Sequence, residues 1–468
     1  MSLPPPPAKR FTEHDTQRFY DGEDARYRAF WDPDGSLHWG LFDRFEDDPA
    51  TFLPACARLN EEMLARAALV QGESVLDVGC GNGNSARWLA RRTGCEVVGV
   101  DLSPVRVEHA QHAARGDRAC RFVTGSATEL PFADRSFDVV WSQATVYHVH
   151  DRDRALAEMR RVLADGGRLV LDDLTTPADH ARLSPRSRRW VYERLQFAPT
   201  WDLDSYRERL AACGLRVLGC EDLTAHLRHS YMLLQTLAAP VDADLARAYE
   251  EMAMAVDRGD LGWALFSAVR VEDPVAWVYG ARDTPMLRER YDAWAPTYDA
   301  ELDRGYAHLP RRAASLLAEL VGDVAAPRVL DVGAGTGLVG AQLFAEGITE
   351  LVGVDLSAAM LAQAQARGVY RELVVGDVHE PLALAQFDAL IAVGVFTHGH
   401  VRPQALILLL EHLRAGGVLI LTVREDYRAT TPELEQTLAS LALNLERRES
   451  VEILGGERVE ILAYRMPA

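Results

Sequence analysis

Lysine is nearly missing from this chain of 468 residues: of its 50 basic side chains only Lys9 is a lysine, and the rest are arginines. Positive charge is short altogether, since 69 acidic residues leave a formal net charge of -19. That argues against a nucleic-acid or anionic-membrane partner, because holding a phosphate backbone draws on clustered cations. No apolar run reaches the roughly 18 residues that a membrane span needs. The opening MSLPPPPAKR lacks an apolar signal core, and residues 1–10 are expected to form a disordered tail. Cysteine is absent from the second half, and the six in the first (Cys56, Cys80, Cys95, Cys120, Cys213, Cys220) show no paired metal spacing. Reduced thiols, a cytoplasmic location and no bound metal are the expectation.

What the chain does have is one pattern written twice. Residues 75–102 read VLDVGCGNGNSARWLARRTGCEVVGVDL, and residues 329–356 read VLDVGAGTGLVGAQLFAEGITELVGVDL. In each, a short aliphatic run leads through an acid (Asp77, Asp331) to three glycines (Gly79, Gly81, Gly83; Gly333, Gly335, Gly337). An amphipathic stretch follows, and a second apolar run closes on Asp101 or Asp355. The periodicities predict strand, tight loop, helix and strand. Glycines permit positive φ and close backbone approach, and an acid at a strand tip can accept both hydroxyls of a ribose, so a nucleoside-bearing cofactor is implied. The D-x-G-x-G-x-G spacing resembles motif I of class I S-adenosylmethionine (SAM)-dependent methyltransferases more than the dinucleotide pattern G-x-G-x-x-G. The resemblance implies SAM as cofactor, held by Asp77, the first glycines, Asp101 and Leu102, and again by Asp331, the second glycines, Asp355 and Leu356.

Asp77 and Asp331 lie 254 residues apart, as do Asp101 and Asp355; Asp138 and Asp388, His148 and His398, and Gly166 and Gly416 lie 250 apart. A four-residue deletion between the two blocks accounts for the register, so a whole domain is duplicated. The expected fold class is α/β: two Rossmann-like class I methyltransferase domains in tandem, each a mostly parallel seven-stranded sheet flanked by helices. Domain one is placed at 11–272, a linker at 273–285 and domain two at 286–468.

The segment 11–45 is dense in aromatics, among them Tyr20, Trp31 and Trp39, with His38 between the last two. It reads either as a packed helical cap or as a closure over cofactor and substrate. An aspartate-tyrosine lead followed by Trp and His-x-Gly resembles small-amine N-methyltransferases of the sarcosine/dimethylglycine type, as does the closing strand at 262–271. In such enzymes the turn after the third strand carries an acid that meets the adenine amino group. Asp377, with Val378, stands there in the second copy, but Ser126, with Ala127, stands there in the first.

His148 follows the fourth predicted strand, where an imidazole can take a proton from an amine or hydroxyl or merely cap the next helix. Tyr147 beside it and His398 in the second copy complete the catalytic candidates. Both copies read His-x-His, with His150 and His400, but two histidines without a third ligand are poor evidence for a metal. Asp172 and Asp173 after the fifth strand are expected to be solvated rather than to hold magnesium. An arginine-rich insertion at 177–201 carries Trp190 and Trp201 and is expected to form a substrate lid. In domain two Tyr291 and Tyr298 belong to a pattern that lies across the SAM pocket of related enzymes, and 291–465 resembles the methyltransferase-like family typified by the Williams-Beuren region protein. Substrate contacts are thus expected from Tyr20, Trp31, His38, Trp39, Trp190, Trp201, Tyr291 and Tyr298.

The chain has neither an Asn/Asp-Pro-Pro-Tyr motif, the mark of enzymes that methylate planar amides and adenine, nor the Pro-Cys of cytosine-5 methylation. With the negative charge, this points to a small-molecule acceptor. Aromatic faces stabilise a cation by roughly 0.5 to 2 kcal/mol per contact, which suits an amine moving toward a quaternary ammonium. The same rings suit a flat natural product, O-methylated with His148 as base. The family resemblance favours successive N-methylation. One catalytic half beside a SAM-binding or structural half, or a SAM-responsive binding module, are the alternatives.

Overall fold

Short runs rich in valine and leucine, bounded by glycine, favour strands over helices. They form the central strands of two sheets in the computed structural model, which describes residues 11–28, 38–302, 308–453 and 457–468. The expected tail at 1–10 and Trp31 lie outside the described residues. The first sheet comprises β1 (Ser74–Val78), β2 (Glu96–Asp101), β3 (Cys120–Thr124), β4 (Phe137–Gln143), β5 (Leu163–Thr175), β6 (Leu215–Asp222) and β7 (Gly262–Arg270). Their spatial order is β3-β2-β1-β4-β5-β7-β6. The second comprises β8 (Arg328–Val332), β9 (Glu350–Asp355), β10 (Glu372–Val375), β11 (Phe387–Phe396), β12 (Leu413–Arg424), β13 (Asn444–Glu452) and β14 (Arg458–Arg465), in the matching order β10-β9-β8-β11-β12-β14-β13.

Six strands of each sheet run parallel, and one, β7 in the first and β14 in the second, runs antiparallel between its two neighbours. Parallel strands need crossovers, whose helices cover both faces of the sheet. The consequence is visible in β1 and β4, where Leu76, Val139, Val140 and Trp141 are fully buried. All nine residues of β7 are buried as well.

Pairing registers locate the deletion seen in the sequence. Leu76 opposite Val98 becomes Leu330 opposite Val352, an unchanged offset of 254. Val100 pairs Val123 and Val354 pairs Val374, so β3 and β10 are offset by 251. Leu76 pairs Val140 and Leu330 pairs Leu390, an offset of 250. Three residues are therefore lost between β2 and β3 and one between β3 and β4.

The first compact unit ends at Glu272 and the second begins at Asp273. The stretch expected as a linker carries helix Pro274–Tyr279, whose first turn Asp273 caps by accepting from the Val275 and Ala276 N–H groups at 3.0 Å. Val278 of that helix is buried with Leu287, Trp294 and Met360, so this stretch is part of the second unit's packing. The first unit has more cover. After β5 come a short helix at Pro185–Ser187 and a π-helical turn at Arg188–Glu193. Two further helices, Thr224–Ala238 and Ala243–Asp257, separate β6 from β7, with Tyr231 stacked on Tyr249. Only five residues separate β13 from β14. Among the described residues, no helix is long and apolar enough to cross a membrane.

Candidate active sites

Each unit has a cleft at the carboxyl ends of its parallel strands, the place where chain reversal opens a sheet of this type. The first is bounded by Glu13, Tyr20, Asp77, Asp101, Ser126 and His148. Between β1 and helix Asn84–Thr93 the chain turns through Gly79, Gly81 and Gly83, all with positive φ. At Gly79 the space is as demanding as the dihedral: a Cβ there would lie 2.2 Å from Thr145 Oγ1. The Gly81 N–H donates to Asp101 Oδ2 at 2.8 Å and the Ser103 N–H to Asp101 Oδ1 at 2.9 Å, fixing this carboxylate at the tip of β2. Asp77 is buried beneath the loop, and Oδ2 has no hydrogen-bond partner among the described residues. Burial, and next the nearby Asp101, push its carboxyl up to about 7. Gly83 caps the helix against the Phe122 ring and does not line the cleft, whereas Leu102 and Ala127 do.

Helix Glu13–Arg28 crosses this cleft. The Tyr20 phenol lies 2.6 Å from His148 Nε2, and the Asp21 carboxylate accepts from the Ser103 hydroxyl. His148 is half-buried, its inward Nδ1 has no partner among the described residues, and desolvation together with the Arg152 and Arg106 guanidinium groups pulls its pKa down to about 3. It is therefore neutral across the physiological range. The Arg106 guanidinium sits 4.4 Å above the Tyr20 ring.

Several expected substrate contacts have other places. His38 lines the cleft, but Trp39 is buried against Tyr147, Tyr231 and Trp263. Tyr147 lies in the core behind His148, against Phe197, with its phenol raised well above the ordinary range by burial. Trp190 has the Arg189 and Arg247 guanidinium groups at 5.6 and 5.4 Å from its ring, and Trp201 packs edge-on to Tyr206 with Arg209 at 5.7 Å. Asp172 and Asp173 are not solvated: the Trp263 indole donates to the first at 2.8 Å, and the Tyr147 N–H and Tyr206 hydroxyl donate to the second at 3.0 and 3.1 Å. Among the described residues no group of three or more His, Cys, Asp or Glu could hold a metal ion.

The second cleft repeats the arrangement with Gly333, Gly335, Asp355, Leu356, Asp377 and Val378 in its wall. The Gly335 and Ser357 N–H groups each donate to Asp355 at 2.8 Å. Asp331 and Gly337 lie behind the wall. The Tyr370 hydroxyl donates to Asp331 Oδ2 at 2.6 Å while Oδ1 has no partner among the described residues. Helix Thr284–Trp294 crosses here, with Asp292 accepting from the Ser357 hydroxyl at 2.5 Å and Tyr298 beside the cleft. Tyr291 contacts His400 Nε2, not His398. His400 lines the wall with its pKa lowered by desolvation, whereas His398 lies outside it with Nε2 3.7 Å from Asp426. The cause is local: β11 runs on to Phe396 with a register shift after Ala392 and a positive φ at Gly394, which moves the equivalent imidazole two places along the chain. A signal for the pairing was available, since Tyr-Asp recurs at Tyr20-Asp21 and Tyr291-Asp292.

The chemistry of both clefts fits a cationic nucleoside: an anchored carboxylate at a strand tip and a buried carboxyl oxygen without a partner under each glycine loop. The model of the methyltransferase domain matches twice, at 76–171 and 330–421. The 27-O-demethylrifamycin SV methyltransferase of Amycolatopsis mediterranei is 33% identical over 42% of this chain and 72% of its own length. The glycine/sarcosine/dimethylglycine N-methyltransferase of Actinopolyspora halophila is 31% identical over 47% of this chain and 38% of its own length. Geranyl diphosphate C-methyltransferase from Streptomyces coelicolor A3(2), solved with S-adenosyl-L-homocysteine, is 21% identical over 57% of this chain and all of its own, with a TM-score of 0.48. Two glycine loops, two anchored strand-tip acids and the 33% identity to the Amycolatopsis enzyme over 72% of that enzyme's length make the chain a member of the SAM-dependent methyltransferases, with the methyltransferase domain present twice.

Proposed function

We propose that the first unit methylates a hydroxyl oxygen of a small molecule and that His148 takes the proton. The observation carrying this reading is the half-buried, neutral His148 on the cleft wall, its Nε2 2.6 Å from the Tyr20 phenol. Asp101 holds the ribose hydroxyls of SAM, Asp77 faces its ammonium, and Ser126 and Ala127 border its base; Asp355, Asp377 and Val378 take the same places in the second unit, with Asp331 under the glycine loop behind the wall. Bound there, SAM supplies an electrophilic methyl group on a sulfonium. The acceptor hydroxyl takes the place of the Tyr20 phenol at Nε2, and its proton passes to that nitrogen as the oxygen–carbon bond forms. The crossing helix keeps water from the site, so positioning carries much of the rate. The imidazole presents an unprotonated nitrogen at physiological pH, and because the burial and guanidinium groups that keep it neutral also weaken it as a base, orienting the hydroxyl is as much its part as taking the proton.

Oxygen is preferred over the amine nitrogen expected from the sequence because, among the described residues, the tryptophans expected to cradle an ammonium, Trp39, Trp190 and Trp201, are buried or already carry arginines. Successive N-methylation keeps one support, the 31% identity to the glycine/sarcosine/dimethylglycine enzyme. Radiolabelled methyl transfer from SAM to matched panels of phenols, alcohols and amines tests the choice. Turnover of hydroxyl acceptors that His148→Ala removes is the expected result, and turnover of amines alone would overturn it.

A further inference from the structure

In the second cleft a carboxylate stands on the turn after β10: Asp377, which accepts from the His379 N–H at 2.9 Å. At the corresponding position on the turn after β3 stands the Ser126 hydroxyl, which donates to Glu13 Oε1 at 2.5 Å. The Thr128 hydroxyl donates to the same oxygen at 3.1 Å. Glu13 comes from the crossing helix, 113 residues before Ser126 in the chain, and lines the cleft beside it. Besides Glu13, the carboxylates in this wall are Asp77 under the glycine loop and Asp101 at the tip of β2.

The direction of the cofactor follows from the sheet order. With the ribose at the tip of β2, the methyl-bearing end has to face His148 after β4, so the base extends the other way, to the turn after β3. Adenine presents an exocyclic amino group there, a donor that calls for an acceptor, and a carboxylate is the strongest one available. We infer that Glu13 is the adenine-reading acid of the first cleft, supplied by the crossing helix in place of the strand-borne acid of the second. The inference rests on the ribose placement at Asp101 and Asp355 proposed above. Two hydroxyl donors hold the carboxylate on station, and the first cleft becomes specific for adenine only when the helix is docked.

The test is calorimetric titration of the full-length chain with S-adenosyl-L-homocysteine and with S-inosyl-L-homocysteine, in which an oxygen acceptor replaces the amino group. Asp355→Ala silences the second cleft so that the first is read alone. With Glu13 present, the adenine ligand should bind about tenfold to a hundredfold more tightly than the inosine ligand, the range expected of a hydrogen bond to a charged group. Glu13→Ala should erase that ratio, and Glu13→Gln, whose amide can donate to the inosine oxygen, should shrink or invert it. An affinity loss shared equally by both ligands would mean that Glu13 only docks the helix, and would overturn the inference. Two equivalents still bound after Asp355→Ala would overturn the ribose placement, and the inference with it, by a separate signature.

Discussion

The two units share a sheet order, a glycine loop and a tyrosine-histidine contact, yet they differ in what lies around those shared parts. In the first, β5 ends in the buried pair Asp172 and Asp173; at the matching places β12 carries Thr422 and Val423. Arg106 beside the first ribose acid is replaced by Met360 beside the second. The first cleft also has two long helices and a π-helical turn in its unit that the second lacks. Duplication has kept the residues that a cofactor demands of the backbone, and let the titratable and covering residues diverge. Cofactor geometry is set by loop and strand tips, where few side chains are acceptable, while acceptor chemistry is set by whatever the crossovers bring.

The comparison breaks most sharply at the histidines. His148→Ala should slow transfer in the first cleft by about 10²–10⁴, the usual contribution of a positioned general base, with SAM affinity retained. His400→Ala should do the same only if the second cleft also transfers methyl groups. Steady-state rates beside SAM titrations of both variants separate two working halves from one, and an equal loss in both would erase the asymmetry.

Next in size are the loops. Gly79→Ala drives a Cβ to 2.2 Å from Thr145 Oγ1 at a φ of 77°, and Gly333→Ala drives one to 2.5 Å from Val395 Cγ2 at 67°. Overpacking of this kind costs about 1–3 kcal/mol. Each variant should lose one equivalent of SAM by calorimetry, and loss of both from a single change would show that the clefts are coupled.

The buried acids should give the halves different pH responses. Burial raises Asp172 to about 7 and Asp173 to about 8 from 3.8. A carboxyl whose folded pKa is raised gives stability that is full below its unfolded value and lost as pH rises through the folded value, here between about 4 and 8. His148, lowered from 6.5 to about 3, works oppositely: its contribution is present above 6.5 and lost as pH falls toward 3. Above pH 6.5 the carboxyls are left unopposed. Asp173→Asn should therefore stabilise the first unit more at pH 8 than at pH 5, read by urea unfolding, while the transition of the second unit stays put. Asp77 and Asp331, both near 7, contribute alike to the two halves.

The smallest expected effect tests the cation. Arg106→Met makes the first cleft resemble the second, removes a charge that lowers His148, and should raise the His148 pKa in an NMR titration. An unmoved imidazole would leave burial and Arg152 as the whole cause.

Much of this was legible in the residues themselves. The glycine loops, the 24-residue spacing from Asp77 to Asp101 repeated at Asp331 and Asp355, and the 250-residue register after the fourth strand specify two copies of one α/β fold. They do so because strand periodicity and tight glycine turns are local properties. Trp39 and Tyr147 read equally well as cleft or core, since aromatic side chains serve both. Asp172 and Asp173 read as solvent-facing because an acid pair is costly to bury, and the Trp263 indole of β7, the Tyr206 hydroxyl of helix Leu203–Ala212 and the Tyr147 N–H offset that cost.

By itself, then, the sequence determined the cofactor class, the duplicated sheet and the acids at the strand tips, all of which depend on neighbours within a few turns of chain. Tertiary structure alone decided which histidine of His-x-His meets a tyrosine, because a two-residue shift at Gly394 is invisible until β11 is paired with β12. It also decided that Glu13 reaches Ser126 across 113 residues, a contact that exists only when the crossing helix lies over the sheet. Spacing records what the chain does locally; which distant side chains share a cleft is settled by packing.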